Sequence, residues 1–313
     1  IWYLPMKHLG AHGFMDCKNL DPQLKALFCF GDQQIFLPHV YRWCRRRRIP
    51  FAAYVGTAHS LDSNFKSKVM NALFAAGTLR IYKKNPVLAK TSAAKEELRQ
   101  LGIPHAVIAP VGLDTAVLKK NIPAVEKMRL RKEHGFEADD VILCNVSRLS
   151  WEKRPLELID LFLQVKGKKK FKLIIVGNGP LEEELNEKIR KNGLEKEVKI
   201  YPNVPYEKMW EIYEMSDHYL NMNKGEIFGM AIMEAVYYKT SVAAIRALGP
   251  SVTLKDMKGH KLCENDDEMA EWITGPYPSE KDLQESSEKM AATFTWDRCA
   301  DAFLQASSEK SSR

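Results

Sequence analysis

The sequence predicts an α/β protein with two parallel sheets, and three observations lead there. Apolar runs of strand length alternate with helical stretches through the second half of the chain. Glycine-containing turns close several of those runs. A length of 313 residues is enough for two cores of ordinary size. With 45% hydrophobic and 28% charged residues the composition is that of a globular chain, which sets aside a disordered or fibrous protein. No apolar stretch approaches the roughly 18–20 residues of a membrane span, and no signal-peptide pattern opens the sequence. Cys17, Cys29, Cys44, Cys144, Cys263 and Cys299 are scattered, with no C-x-x-C and no histidines at metal spacing. They read as reduced thiols of a cytoplasmic protein, and no metal site is expected.

In the first half, Asp32–Phe36, Phe51–Val55 and Ala106–Ile108 have strand character, with helices expected over Val40–Arg47, Phe65–Ala75 and Ala93–Leu101. Residues 119–140, charge-rich and carrying Pro123, read as a connection. The second half is more regular. Val141–Ser147 is a buried-strand run, Pro155–Val165 a helix, and Phe171–Val176 a second strand closed by Gly177-Asn178-Gly179-Pro180. A charged helix runs from Leu181 to about Lys191. Val198–Tyr201, Tyr219–Met222 and Ser241–Ile245 are further strands, with a helix over Tyr206–Met215. Strands alternating with helices of this length imply βαβ units and a parallel sheet. The domains expected are 1–135 and 136–294, with a helix near 295–306 returning to the first.

Charge is divided unevenly. Residues 1–120 hold 18 Lys and Arg against 7 Asp and Glu, and the rest of the chain is mildly acidic. One domain should therefore face an anionic partner. Arg45-Arg46-Arg47-Arg48, followed by Lys66, Lys68, Lys83 and Lys84 and interleaved with Trp43, Phe65, Leu73 and Phe74, suits peripheral contact with an anionic membrane. A solvated basic face explains the same residues about as well. Nucleic acid ranks lower, because no recognisable module surrounds the arginines.

The segment Met222–Ala244 carries the chemistry. Glu226 and Glu234 lie eight positions apart around Ile227-Phe228-Gly229-Met230, after a strand and at the start of a helix. If all of it were helical, that spacing would be about 12 Å. The backbone N–H groups of Phe228, Gly229 and Met230 would then point out of the helix start and form an anion cradle. One acid beside a reacting centre, a cradle and a second acid for hydroxyls describe a nucleotide-sugar site.

These residues resemble the E-x7-E signature, with Phe-Gly after the first acid, of the retaining glycosyltransferases of family 4 (glycosyl transferases group 1). Ser147-Arg148-Leu149-Ser150-Trp151-Glu152-Lys153-Arg154 is similar to that family's G-R-L-x-x-x-K-G segment. The resemblance implies a GT-B architecture, two Rossmann-like domains facing a cleft. Arg148 and Lys153 would stabilise the departing diphosphate, Glu226 would contact the sugar, and Glu234 would bind the ribose. Gly177 would turn the chain near the nucleotide, and Asn203 and Val204 would hold the base through backbone groups. His59, at the end of the strand Phe51–Val55, matches the family's acceptor-side histidine. No cofactor is implied, since the nucleotide-sugar is a substrate.

Six departures accompany the resemblance. Ser147 stands in place of the family's Gly before the Arg, and Leu248-Gly249-Pro250-Ser251 resembles its Gly-Gly-Pro loop with one Gly lost. Val111 stands where the family has Asn, and Arg154 where it has Gly. After Glu234 the family's Gly and Pro are missing, so that turn should be made differently. The family's opening strand and Gly-rich loop are not found, which suggests that Ile1 lies inside the first domain. The function implied is retaining transfer from a UDP-sugar, ahead of a GDP-sugar, to a glycan or lipid-linked acceptor of the cell envelope, capsule or exopolysaccharide. A non-catalytic accessory subunit, a nucleotide-sugar epimerase and a phosphorylase are the alternatives.

Overall fold

The computed structural model describes residues 6–9, 12–21, 23–30, 36–57, 65–115, 118 and 123–308. The chain divides into two units, one of residues 1–112 with 296–313, the other of residues 113–295.

In the first unit β1 (Met6–Leu9) pairs antiparallel with β2 (His12–Met15). The parallel sheet then builds in chain order. β3 (Leu27–Phe30) leads through α1 (Leu37–Arg47) to β4 (Phe51–Val55), and α2 (Phe65–Ala76) and α3 (Thr78–Tyr82) lead to β5 (Val87–Ala89). α4 (Ser92–Gln100) and β6 (Val107–Ile108) complete it, in the order β3-β4-β5-β6. The strand expected at 32–36 falls mostly outside the described residues. The first strand of the sheet is instead the run Leu27–Phe30, with Leu27 opposite Phe51.

α1 takes Pro38 in its first turn, where a missing N–H costs nothing, and ends at Arg48 in the left-handed conformation. Leu37, Val40, Trp43 and Cys44 point into the core with Phe74 and Tyr82. The expected place of Trp43 and Phe74 on a membrane surface is therefore wrong: both are buried, and the Arg47 guanidinium lies 4.6 Å from the Trp43 ring centre. Arg45 to Arg48 remain exposed, and three of them favourably occupy the negative end of the helix dipole.

The second unit opens with α5 (Ala124–Glu133), inside the stretch expected to be a connection. Arg131 makes it part of the fold. Its guanidinium is buried and donates to the Met215 and Asp140 carbonyls (2.9 and 3.2 Å) and to Asp217 Oδ1 (2.7 Å). The sequence there is charged throughout, so only the partners of Arg131 reveal the helix as an integral element. Residues 113–135, which the expected boundary gave to the first domain, accordingly fall in this unit.

β7 (Val141–Val146), α6 (Pro155–Val165), β8 (Phe171–Val176), α7 (Glu182–Lys191), β9 (Val198–Tyr201), α8 (Met209–Met215) and β10 (His218–Asn221) follow. Then come α9 (Met230–Tyr237), β11 (Ser241–Ile245), α10 (Leu248–Thr253), β12 (Lys261–Cys263), α11 (Asp266–Thr274) and α12 (Glu280–Thr293). All neighbouring strands are parallel, in the order β9-β8-β7-β10-β11-β12. Leu143, Leu173, Ile175 and Leu220 face Leu158, Phe162, Leu185 and Ile189 of α6 and α7 across a dry core. Each such side chain contributes about 1.5–3 kcal/mol. α13 (Trp296–Ser308) belongs to the first unit, where Cys299 and Ala302 cover Ala52, Tyr54 and Leu88. Val111, apolar where an Asn was expected, packs against that cluster.

Candidate functional site

Counted along the chain, the second sheet runs 3-2-1-4-5-6, so its direction of winding reverses between β7 and β10. The connections leaving those two carboxyl ends diverge to opposite faces and leave a crevice, the place where such sheets hold ligands. The loops leaving these two strands are Ser147–Arg154 and Met222–Gly229, the two segments that the sequence singles out.

The first loop is pinned on both sides. Asn145 Nδ2 donates to the Leu220 carbonyl (2.8 Å), tying β7 to β10, and Ser147 Oγ donates to Asn145 Oδ1 (2.9 Å). Leu149 N–H donates to the Asn178 carbonyl and Leu181 N–H to the Leu149 carbonyl (2.8 and 3.0 Å). Gly177 and Gly179 permit this clasp, because a Cβ on Gly177 would lie 1.9 Å from the Ser147 oxygen. A short 3₁₀ turn over Trp151–Lys153 then presents Lys153.

Arg154 occupies the position where a glycine is expected, and it keeps a glycine's backbone, with φ at 55°. Its side chain offsets that strain. The guanidinium grips both oxygens of Asp266 (3.1 and 2.9 Å) and donates to the Met222 carbonyl (3.3 Å), locking the first loop to the second.

In the second loop Asn221 Oδ1 accepts from Asn223 N–H, and Asn223 Oδ1 from Gly225 N–H (3.0 and 2.9 Å). Glu226 is thereby aimed at Lys153: Lys153 Nζ donates to Glu226 Oε2 at 2.8 Å, and Asn223 Nδ2 to the same oxygen at 3.1 Å. The pair is mostly buried, with side-chain exposures of 23% and 16%. Burial alone would raise the Glu226 pKa. The bond and charge of Lys153, with Asn223 and Asn221, outweigh it and hold the carboxyl below its usual value.

α9 begins after Gly229, whose φ is 86°. Its first backbone bond runs from Met233 N–H to the Gly229 carbonyl, so the amides of Gly229 and Met230 precede any intrahelical partner. Phe228 lies just before the helix, its ring buried 6.0 Å from Phe294. Behind it Gly249 donates to the Glu226 carbonyl (2.8 Å), and a Cβ there would meet the Phe228 nitrogen at 2.5 Å. Glu234 is buried and accepts from the Tyr213 hydroxyl at 2.6 Å. Burial raises its pKa, and the tyrosine bond only partly counters that. Tyr213 is itself fixed by stacking on Tyr238, 5.6 Å away.

The other expected positions are less close-knit. Arg148 is 69% exposed and pairs with Glu152 at 3.1 Å, an interaction worth at most about 1 kcal/mol. Asn203 is exposed and Val204 half-buried, in the loop after β9. His59 lies outside the described residues. Tyr213, Asn221 and Asn223 were not singled out by sequence. Tyr213 sits on the apolar stripe of its helix and reads there as an ordinary core residue. The N-M-N spacing before Glu226 was the available signal for the asparagines.

The turn after Glu234 also differs from expectation. Lys239 takes φ 62°, and Lys239 and Thr240 N–H donate to the Val236 and Ala235 carbonyls (3.0 and 2.9 Å). This is the left-handed helix stop that glycine ordinarily supplies, made by a lysine. Lys239→Gly should therefore stabilise the second unit by up to about 1 kcal/mol. Thermal unfolding would read that as a rise of about 2–4 °C. Arg154→Gly, at an equally left-handed residue, should lower the midpoint, because it loses the Asp266 clamp.

The model for "Glycosyl transferases group 1" matches residues 126–290, more than half of the chain. The chain belongs to this family. Among similar relatives, the D-inositol 3-phosphate glycosyltransferase of Mycobacterium avium is 26% identical over 80% of this chain and 62% of its own length. The chain thus spans about 62% of that curated relative. The amylovoran biosynthesis glycosyltransferase AmsD of Erwinia amylovora is 34% identical over 36% of this chain and 31% of its own. Among solved structures, Anabaena HepE in complex with UDP and glucose superposes with a TM-score of 0.73 at 18% identity, covering 91% of this chain and 78% of that one. That likeness bears on fold, and the fold is GT-B: two Rossmann-like domains, as the sequence led one to expect.

Proposed function

We propose that the chain transfers a sugar, with retention at the anomeric carbon, from a UDP-sugar (ahead of a GDP-sugar) to a glycan or lipid-linked acceptor of the cell envelope or exopolysaccharide. The observation that carries this reading is the Lys153–Glu226 pair at the reversal of the sheet, beside the start of α9. HepE, bound to UDP and to UDP-glucose in its solved structures, supports the choice of donor class.

In this reading the donor diphosphate lies between the amides of Gly229 and Met230 and the cations Lys153 and Arg148. The bond from the anomeric carbon to the β-phosphate oxygen breaks, and negative charge grows where Lys153 and Arg148 can meet it. The acceptor oxygen bonds to that carbon, and its proton leaves with the released diphosphate. Glu226 orients the sugar by accepting from its hydroxyls. Its Oε2 is already shared by Lys153 and Asn223, which suits a positioning acceptor better than a nucleophile. Glu234 binds the ribose, Asn203 and Val204 border the base, and His59 serves the acceptor side. Cations and helix amides take the part of a metal, and no cofactor enters. Arg45, Arg46, Arg47 and Arg48 meet an anionic membrane from the cytoplasmic side.

Calorimetric titration with UDP, GDP and ADP tests the donor site. One nucleotide should bind, UDP first. Arg148→Ala, which severs only an exposed ion pair, should weaken binding by about tenfold, the value of one charge-assisted hydrogen bond. Failure of all three nucleotides to bind would remove the catalytic reading and bring forward the accessory-subunit alternative.

A further inference from the structure

A buried carboxylate is ordinarily paired with a cation, and Glu234 has none among the described residues. It keeps only 8% of its surface open, and its hydrogen bond from those residues comes from the Tyr213 hydroxyl to Oε2 at 2.6 Å. Oε1 receives no donor from them and is reached by solvent. The phenol is itself held from three sides. Its ring stacks on Tyr238, with centres 5.6 Å apart and planes within 9°, and meets Tyr219 at 6.3 Å. Thr240 Oγ1 donates to the Tyr213 carbonyl at 2.9 Å. Three segments thus fix one hydroxyl, and that hydroxyl fixes one oxygen of the carboxylate.

The ionisable groups that face Glu234 are phenols. Tyr213 comes from α8, Tyr219 from β10, Tyr206 from the turn before α8, and Tyr238 from the end of α9 with Tyr237 beside it. Burial first, and the Glu234 charge among the rest, pushes the pKa of the first four upward, so Tyr213 stays a donor at any working pH. The acids of α8 look elsewhere, Glu211 to His134 and Glu214 to Lys127 and Lys239, and His218 of β10 lies against Tyr277. α10 and β11 hold no ionisable residue. On α12, Glu285 and Lys289 are taken up by Lys258 and Asp256. Only an ionised carboxylate can accept from two sugar hydroxyls at once. Burial works against that state, and the Tyr213 bond is its counterweight. We propose that Tyr213 is a positioning residue of the nucleotide site: its hydroxyl holds the Glu234 carboxylate in place, with Oε1 free for the ribose diol, and so makes the site select ribonucleotides over deoxy analogues. This rests on the reading above in which Glu234 binds the ribose. A plain polar tie between α8 and α9 would need the same bond but no open Oε1.

Calorimetric titration of the full chain with UDP and with 2′,3′-dideoxy-UDP, across a range of pH, tests it. The two nucleotides share the titration of their phosphates, so the ratio of their affinities isolates the hydroxyls. In the parent UDP should bind at least about tenfold more tightly at neutral pH. That ratio should shrink on acidification, as Glu234 gains its proton. Tyr213→Phe removes the counterweight, so the ratio should start to shrink at higher pH. Above about pH 8.5 the carboxylate is ionised in both proteins, and the variant's ratio should return to within about threefold of the parent's. A Tyr213 with only a structural part would weaken both nucleotides alike at every pH; a ratio that titrates in Tyr213→Phe as it does in the parent overturns the inference. Tyr213→Phe keeps the ring that stacks on Tyr238, and circular dichroism checks its fold. Glu234→Gln stands beside it: a ratio that still varies with pH in Glu234→Gln overturns the inference without the first variant. Equal affinity for UDP and the dideoxy analogue in the parent would instead separate Glu234 from the ribose, which sinks the underlying reading.

Discussion

Lys153→Met is expected to lower kcat/KM for sugar transfer by about two to three orders of magnitude, the usual cost of removing one donor aimed at developing transition-state charge. Release of nucleoside diphosphate from the donor measures it. The variant has a second, independent signature. Lys153 holds the Glu226 pKa down against burial, which pushes it up. With the cation gone, burial prevails and the carboxyl protonates at higher pH. The acid limb of the activity profile should therefore move upward, because the ionised form of Glu226 is then lost sooner on acidification. Lys153→Arg keeps a charge but replaces a point donor by a fork, so it should restore the limb and only part of the rate. A rate within threefold of the parent would dismiss Lys153 from the site. Loss of rate with an unmoved limb would leave it a phosphate contact with no hold on Glu226.

The two loops of the candidate site were legible because each is a short chain segment following a strand. Glu226, Phe228, Gly229 and Glu234 follow one strand, and Arg148 and Lys153 follow another. A parallel sheet that reverses between those two strands brings Lys153 and Glu226 together. What was not legible depends on partners distant in sequence. Residues 124–133 read as a linker because their pattern is charged all round, and only the burial of Arg131 against Met215, Asp140 and Asp217 makes them part of the fold. Trp43 and Phe74 were expected at a surface because basic residues surround them. In three dimensions the helices turn Trp43 and Phe74 inward and leave the arginines, Val69 and Leu73 outside.

The missing glycines teach a related point. A left-handed residue after Glu234 and another after Lys153 are required by the turns themselves, whichever side chain occupies them. Lys239 and Arg154 both adopt it. Sequence reports only the absent glycine, and the differently made turn expected after Glu234 is not found, because Lys239 takes the glycine's conformation itself. Arg154 recovers its strain through Asp266. Among the described residues no hydrogen bond or ion pair of the Lys239 side chain does so, which is why the two glycine substitutions should act in opposite directions.

Gly177 is the opposite case, a glycine that no side chain can replace. Its φ of 140° is open to glycine, and an added Cβ would stand 1.9 Å from the Ser147 carbonyl oxygen and 2.9 Å from its carbon. Those are backbone atoms at the end of β7, so no rotamer relieves the overlap and the clasp between the two loops must open. Opening it endangers the Leu149–Asn178 and Leu181–Leu149 bonds and releases the turn that presents Lys153. Gly177→Ala should then cost roughly 3 kcal/mol or more, from overpacking against backbone added to a strained φ. Gly193→Ala is the matched control. Gly193 is also left-handed, with φ 62°, yet nothing lies within 4 Å of its Cβ position, so only the conformational cost of about 1 kcal/mol applies. Thermal unfolding should separate the two by several degrees. UDP affinity should fall in Gly177→Ala and stay at the parent value in Gly193→Ala. Equal midpoints would mean that the loop after β8 yields easily, and that the position of Lys153 is set by Glu226 and the Arg154 clamp without help from the glycine turn.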